Sequence, residues 1–225
     1  MEQEEIYNYI KQGQNDKALQ ALFDNIENNP QEIENYINAG ILIAEAGEIE
    51  HAETFFQKAL TIDAENGAVY YNLANVYYNE GRFNEAIKLY QTALQHAKDG
   101  LVDKIDANYM IGMSFNQLES FKQAMPFLMT AAEADDRQDV EVQFQYGLVL
   151  CHLEMFDQAI EQLNYVLTLD NEHVDALYNL GLATYMSTEN VDDALNYFNK
   201  AVAINPEHHM SQHAITTFKS IQEEE

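Results

Sequence analysis

The chain has 225 residues, room for one large domain or two small ones, and at 47% apolar and 22% charged it reads as globular rather than disordered. Eleven Lys and Arg stand against 38 Asp and Glu, a formal net charge of -27; a surface that acidic repels phosphate backbones, which argues against direct nucleic-acid binding and favours basic partners. Cys151 is the single cysteine, so no intrachain disulfide forms, and MEQEEIYNYIKQG carries acids where a secretory leader is basic and apolar; with no run near the roughly 18 apolar residues of a membrane span, a cytoplasmic, soluble protein is expected.

Along the chain, Gly13, Gly47 and Gly81 recur at one fixed spacing, each shortly before an alanine: Ala18, Ala52 and Ala86. Four residues beyond each alanine stands a large apolar residue: Leu22, Phe56 and Tyr90. The same pairing returns as Ala124 with Leu128, Ala159 with Leu163 and Ala194 with Phe198. Between these marks the apolar residues step by three and four, the period of amphipathic helices, so each unit is predicted as helix, turn, helix. The units fall at about 1–32, 33–66, 67–100, 105–138, 140–173 and 174–208, read as a single domain.

The first unit is expected to have lost most of its first helix, because residues 1–5 are mostly acidic. The run DGLVDK at 99–104 lengthens the joint after the third unit, as a hinge or as an ordinary loop insertion. In the fourth unit Ser120-x-x-Gln123 reads as a capping box, and Pro126 removes a backbone donor and predicts a mild kink. Single extra residues lie near Arg137 and near Thr188. Beyond Pro206 the pattern stops, and Met210, Ala214, Ile215, Phe218 and Ile221 trace a capping helix over 209–222, followed by an acidic tail.

Leu177, Leu180-Gly181, Ala194, Phe198 and Pro206 in the last unit, and Tyr70, Leu73-Ala74, Tyr77, Ala86 and Tyr90 in the third, resemble the tetratricopeptide repeat. Small residues recur at its eighth position: Gly40, Ala74, Gly112, Gly147 and Gly181. The resemblance implies an all-α fold, a right-handed α-α superhelical solenoid of about six helix-turn-helix units plus the C-terminal cap, because one pair cannot bury its apolar face alone. It also implies that first-helix residues line a concave groove. Carried over position by position, that groove holds Ile37, Asn38 and Ile41 from the second unit and Tyr71, Asn72, Asn75 and Tyr78 from the third. Tyr109, Met113 and Asn116 follow, then Phe144, Gln145 and Leu148, and finally Tyr178, Asn179, Leu182 and Tyr185.

Aromatic and Met side chains on such a face suit a surface for another chain, and the amides Asn38, Asn72, Gln145 and Asn179 could pair with an extended backbone. A tightly curled solenoid covering its own floor is the alternative. Co-chaperones of this family clamp a C-terminal carboxylate with Lys and Arg at the second, fifth and sixth positions. Here those positions hold no base, and the second carries Glu34, Asp106, Glu141 and Asp175. The acids would steer a ligand with Lys or Arg beside apolar anchors, or simply complement the helix dipoles. Of the paired tyrosines in the third unit, Tyr70 and Tyr77 are assigned to packing, and Tyr71 and Tyr78 to the groove.

No catalytic constellation stands out. Cys151 and His152 are adjacent, which does not pair them, and no glycine-rich phosphate loop is present. His209-x-x-x-His213 has the spacing of two ligands on one helix face but lacks further ones, so neither metal nor cofactor is expected. The reading is a non-catalytic interaction module that binds a peptide segment of a partner protein. The rivals are a self-assembling scaffold and, behind it, an enzyme or metal protein.

Overall fold

The computed structural model describes residues 3–97, 100, 102–134 and 138–224. The 99–104 joint includes Asp99 and Leu101, and one insertion sits at Arg137; these three residues lie outside the described set.

Thirteen helices make up the described structure, and no strand occurs among the described residues. In order they are α1 (Gln3–Lys11), α2 (Asn15–Asn28), α3 (Ile33–Glu45), α4 (Ile49–Ile62), α5 (Gly67–Asn79), α6 (Phe83–Gln95) and α7 (Lys104–Gln117). They continue as α8 (Phe121–Ala134), α9 (Val140–His152), α10 (Phe156–Leu169), α11 (Val174–Thr188), α12 (Val191–Ile204) and α13 (His209–Glu224). The fold is all-α, built of helix pairs. Contacts divide the chain into two compact units, Met1–Ser114 and Phe115–Glu225.

The turn inside each pair has one recurring chemistry. Gly13, Gly47 and Gly81 take φ of 68°, 83° and 74°, and the next residue donates back five positions, as Glu48 N–H to Ile43 O at 3.1 Å and Arg82 N–H to Tyr77 O at 2.8 Å. This left-handed residue ends the first helix and satisfies its last carbonyls. In the fourth and fifth pairs Glu119 and Glu154 stand there with φ of 53° and 58°, and their followers Ser120 and Met155 bond back in the same way. The extra residue near Thr188 lengthens α11 to 15 residues, which ends on Glu189 at φ 56°.

The helix starts are capped where short polar side chains allow it. Asp139 Oδ1 accepts from the amides of Glu141 and Val142 at 2.9 and 3.1 Å, and Asn190 Oδ1 accepts from Asp193 at 3.1 Å. The capping box expected at Ser120 is not made: its hydroxyl donates to Leu118 O at 3.3 Å instead. Helix α8 runs unbroken through Pro126.

Each unit has its own core. In the first, Phe56, Tyr90, Leu22 and Val69 are fully buried, and Gly40 lies so close to Phe56 that a methyl group there would come within 2.9 Å of the ring. In the second, Phe198, Leu163 and Leu180 are fully buried, and a methyl on Gly181 would come within 2.6 Å of Phe198. Small residues at this position therefore let paired helices close onto a large side chain, as the pattern suggested. Two details differ from expectation. Helix α1 keeps nine residues, because Ile6 anchors it against Ala18 and Leu22 despite the acids before it. At the other end α13 does more than cover an end: Phe218 meets Phe198 edge-on at 5.1 Å and Tyr185 at 4.7 Å.

Candidate peptide-binding surface

The first-helix residues singled out by position are half-buried almost throughout, but they do not share one task. Ile41, Asn72 and Asn75 come together with Ala44, Glu45, Ile49, Val76, Asn79 and Glu80 around a cleft of about 290 Å³ in the first unit. Val76 belongs to the core behind it and Ile41 and Ile49 to the margin of that core, which makes the wall apolar.

The two asparagines at the cleft are held in defined orientations. Asn72 donates from Nδ2 to Ala68 O, one turn back, at 2.8 Å, which leaves its carbonyl oxygen as the group available to a ligand. Asn75 is turned the other way by Tyr90, whose hydroxyl donates to Asn75 Oδ1 at 2.6 Å. Burial pushes the Tyr90 phenol well above its ordinary range, so it stays a donor. Adjacent turns of α5 thus present one acceptor and one donor, the two groups a peptide backbone needs.

Tyr71 and Tyr78 were assigned to the groove, yet both have internal partners. Tyr71 donates its hydroxyl to Asp106 on α7, and its ring lies 5.6 Å from Tyr90. Tyr78 meets Phe83 edge-on at 5.4 Å. Their neighbours serve packing: Tyr70 donates to Ala64 O at 2.9 Å, and the guanidinium of Arg82 sits 3.6 Å above the ring of Tyr77. Asn38 is half-buried beside the Tyr7 hydroxyl. Ile37 is half-buried against the core, and Tyr109, Met113 and Asn116 are half-buried on α7.

In the second unit the core claims much of the expected floor. Phe144 is buried, packed with Leu163, Val166 and Leu180 and 4.5 Å from the His173 ring, so it is a core residue and not a groove anchor. Leu148 packs at the margin of the same cluster. Tyr178, Leu182 and Tyr185 pack against the cluster that includes Phe198 and Phe218, with the Tyr185 ring on Phe218. Asn179 bonds back to Asp175 O at 2.8 Å, and Gln145 donates to Glu141 at 2.7 Å.

The four acids expected to edge a groove are each engaged. Glu34 accepts from the Tyr7 hydroxyl at 2.8 Å, Asp106 from Tyr71 and Glu141 from Gln145, and His208 Nε2 lies 3.1 Å from Asp175. The bond to Glu34 raises the Tyr7 phenol, and burial raises the Asp106 carboxyl. Glu45 and Glu80, at the rim of the cleft, take no such donor among the described residues and are exposed. Neither is among the groove residues that the repeat positions imply. Glu45 stands at the thirteenth place of its unit and Glu80 one residue beyond the corresponding Asn79, at the ends of the helices that line the cleft.

Elsewhere, burial pushes the Cys151 thiol up to about 11, which disfavours the thiolate, and the adjacent His152 ring lies flat on Phe121 at 4.1 Å. His209 and His213 are exposed on α13, and no three of His, Cys, Asp and Glu gather to hold a metal among the described residues. No helix of the described residues is long and apolar enough to cross a membrane.

Family profiles described as tetratricopeptide repeat match residues 44–109, 105–138 and 153–209. Among solved structures the chain is similar to YrrB, described as a TPR protein with an unusual peptide-binding site. The two are 34% identical over 86% of this chain and 97% of that one, with a TM-score of 0.76. It resembles PilF of Pseudomonas aeruginosa in fold at 18% identity over 93% of each chain, TM-score 0.74. A curated relative, anaphase-promoting complex subunit 3 of Schizosaccharomyces pombe, is 25% identical over 134 residues, 60% of this chain and 19% of that protein. The chain thus spans about a fifth of that relative's length.

Proposed function

Because this chain belongs to the tetratricopeptide-repeat family, whose members act as protein–protein interaction modules, we propose that its first-helix face binds an extended segment of a partner protein carrying apolar and basic residues. One observation carries the reading: the α3–α5 cleft pairs an apolar wall with a side-chain acceptor on Asn72 and a side-chain donor on Asn75. Extended peptides bind through main-chain hydrogen bonds for affinity and pockets for side chains for specificity, and the amides with the apolar wall would serve these two ends. YrrB, with its peptide-binding site, supports a peptide ligand by likeness. The formal charge of -27 supports a basic segment, and the lone cysteine suits a reducing, cytoplasmic setting.

A displayed library of random heptapeptides, panned on the whole chain, tests this. Peptides retained by the wild type should bind at least tenfold more weakly to Asn72→Trp, which fills the cleft from a half-buried position on its lining. Retained peptides that bind both proteins equally would overturn the cleft as the site.

A further inference from the structure

We propose that the α3–α5 cleft selects a single Lys or Arg side chain, with its aliphatic stem along Ile41, Ile49 and Val76 and its charge between Glu45 and Glu80. The inference rests on the peptide-binding reading above and names what that site recognises.

Its first support is the contrast among carboxylates in the first unit. Glu34 and Asp106 already accept from tyrosine hydroxyls, while Glu53 and Glu85 are held by Arg82 at 2.7 and 2.6 Å. Exposed acids elsewhere in the unit, such as Asp16, Glu27 and Glu32, also lack such partners among the described residues, but Glu45 and Glu80 lack them while lining one cavity with an apolar wall. A cation is therefore complementary there, and no base among the unit's described residues lines the cleft: Arg82 is committed, Lys17 and Lys58 lie over the rings of Tyr9 and Phe55, and Lys11, Lys88 and Lys104 are not among its lining residues.

The second support is shape. A volume of about 290 Å³ falls at or below the range of roughly 300–1,000 Å³ typical of drug-sized sites, so the cleft suits one long side chain rather than a cofactor. Apolar wall and acidic rim together match the two halves of a basic side chain, which lays its methylenes on apolar surface and keeps its head at the water boundary. A carboxylate ligand would meet two unpaired acids. A purely aliphatic one would leave them as they are and gain nothing from them.

The same heptapeptide library decides it, with Glu45→Gln/Glu80→Gln as the second bait. Both positions are exposed, so the double variant keeps its fold, which circular dichroism checks. The expected result is enrichment of Lys or Arg at one position of the retained peptides, and at least tenfold weaker binding of those peptides to the double variant. Replacing that Lys by norleucine should cost the wild type the same factor and the double variant almost nothing. Retained peptides that lose affinity for Asn72→Trp but lack a basic position, or bind the double variant unchanged, overturn the inference and leave the peptide-binding function standing. A library from which nothing is retained overturns both.

Discussion

The two compact units use the same repeat positions for different ends. At the turn inside each pair the first unit places glycine in the left-handed conformation, and the second places glutamate: Gly13, Gly47 and Gly81 against Glu119, Glu154 and Glu189. On the first-helix face the first unit leaves a cleft with free polar groups, while the second turns Phe144 into core and lays Tyr178 and Tyr185 on the cluster shared with α13. A tetratricopeptide position therefore fixes where a side chain starts, and the neighbouring helix decides whether it ends as floor or as core.

The strongest way to break this contrast is to remove the residue that binds the floor of the second unit to its cap. Phe198 is fully buried and touches Tyr178, Phe218 and the face of Gly181. Phe198→Ala should lose about 3–5 kcal/mol in urea unfolding, with amide-exchange protection falling in α11–α13. Retained protection there would show that α13 does not depend on this contact. Tyr185→Ala comes next, at about 2 kcal/mol, from a half-buried aromatic and its edge-on pair with Phe218. A true groove residue at that position would lose affinity for a ligand and hardly any stability.

The turns give an asymmetric pair of substitutions. A methyl at Gly81 meets nothing within 4 Å, so Gly81→Ala isolates the conformational penalty, about 1–2 kcal/mol. Glu154→Gly relieves a similar strain, but glycine's looser unfolded chain takes back about 0.5–1 kcal/mol. The net gain should be about 0.5 kcal/mol in the thermal midpoint comparison. A loss of stability in Glu154→Gly would mean that glutamate is not strained there.

Much of this was legible in the sequence. The turn glycines, the alanine and large-residue pairs and the small eighth position are local, and they fixed the helices and the residues that meet inside a pair. What lay beyond reach depended on contacts between pairs. Nothing near Asp106 in sequence reveals that Tyr71 donates to it, and nothing near Tyr185 reveals Phe218. Ile6 held α1 together against an unfavourable acidic start, because burial of one side chain outweighs weak propensity.

The Tyr71–Asp106 contact has a pH signature. Burial raises the Asp106 carboxyl above its unfolded value, so the folded chain binds that proton more tightly. The associated stability is present below the unfolded pKa, about 3.9, and is lost as pH rises through the raised folded value. The urea midpoint of the wild type minus that of Asp106→Asn should therefore fall with rising pH and then level off. A difference that grows with pH would assign the carboxylate the opposite role, stabilised in its charged form by the tyrosine.

The smallest effect separates the two kinds of acid in the first unit without any ligand. Glu53 shares Arg82 with Glu85, and the guanidinium also covers Tyr77, so Glu53→Gln should lose about 0.5 kcal/mol, an effect that shrinks with added salt. Glu45→Gln/Glu80→Gln removes two charges that repel the surrounding acids and pair with nothing among the described residues, so stability should hold or rise by about 0.5 kcal/mol at low salt. Opposite signs from chemically identical substitutions would mark the cleft acids as contributing nothing to the fold. A loss in both would mean that Glu45 and Glu80 have a structural role, and the cleft would then lose its best claim to be built for a partner's cation.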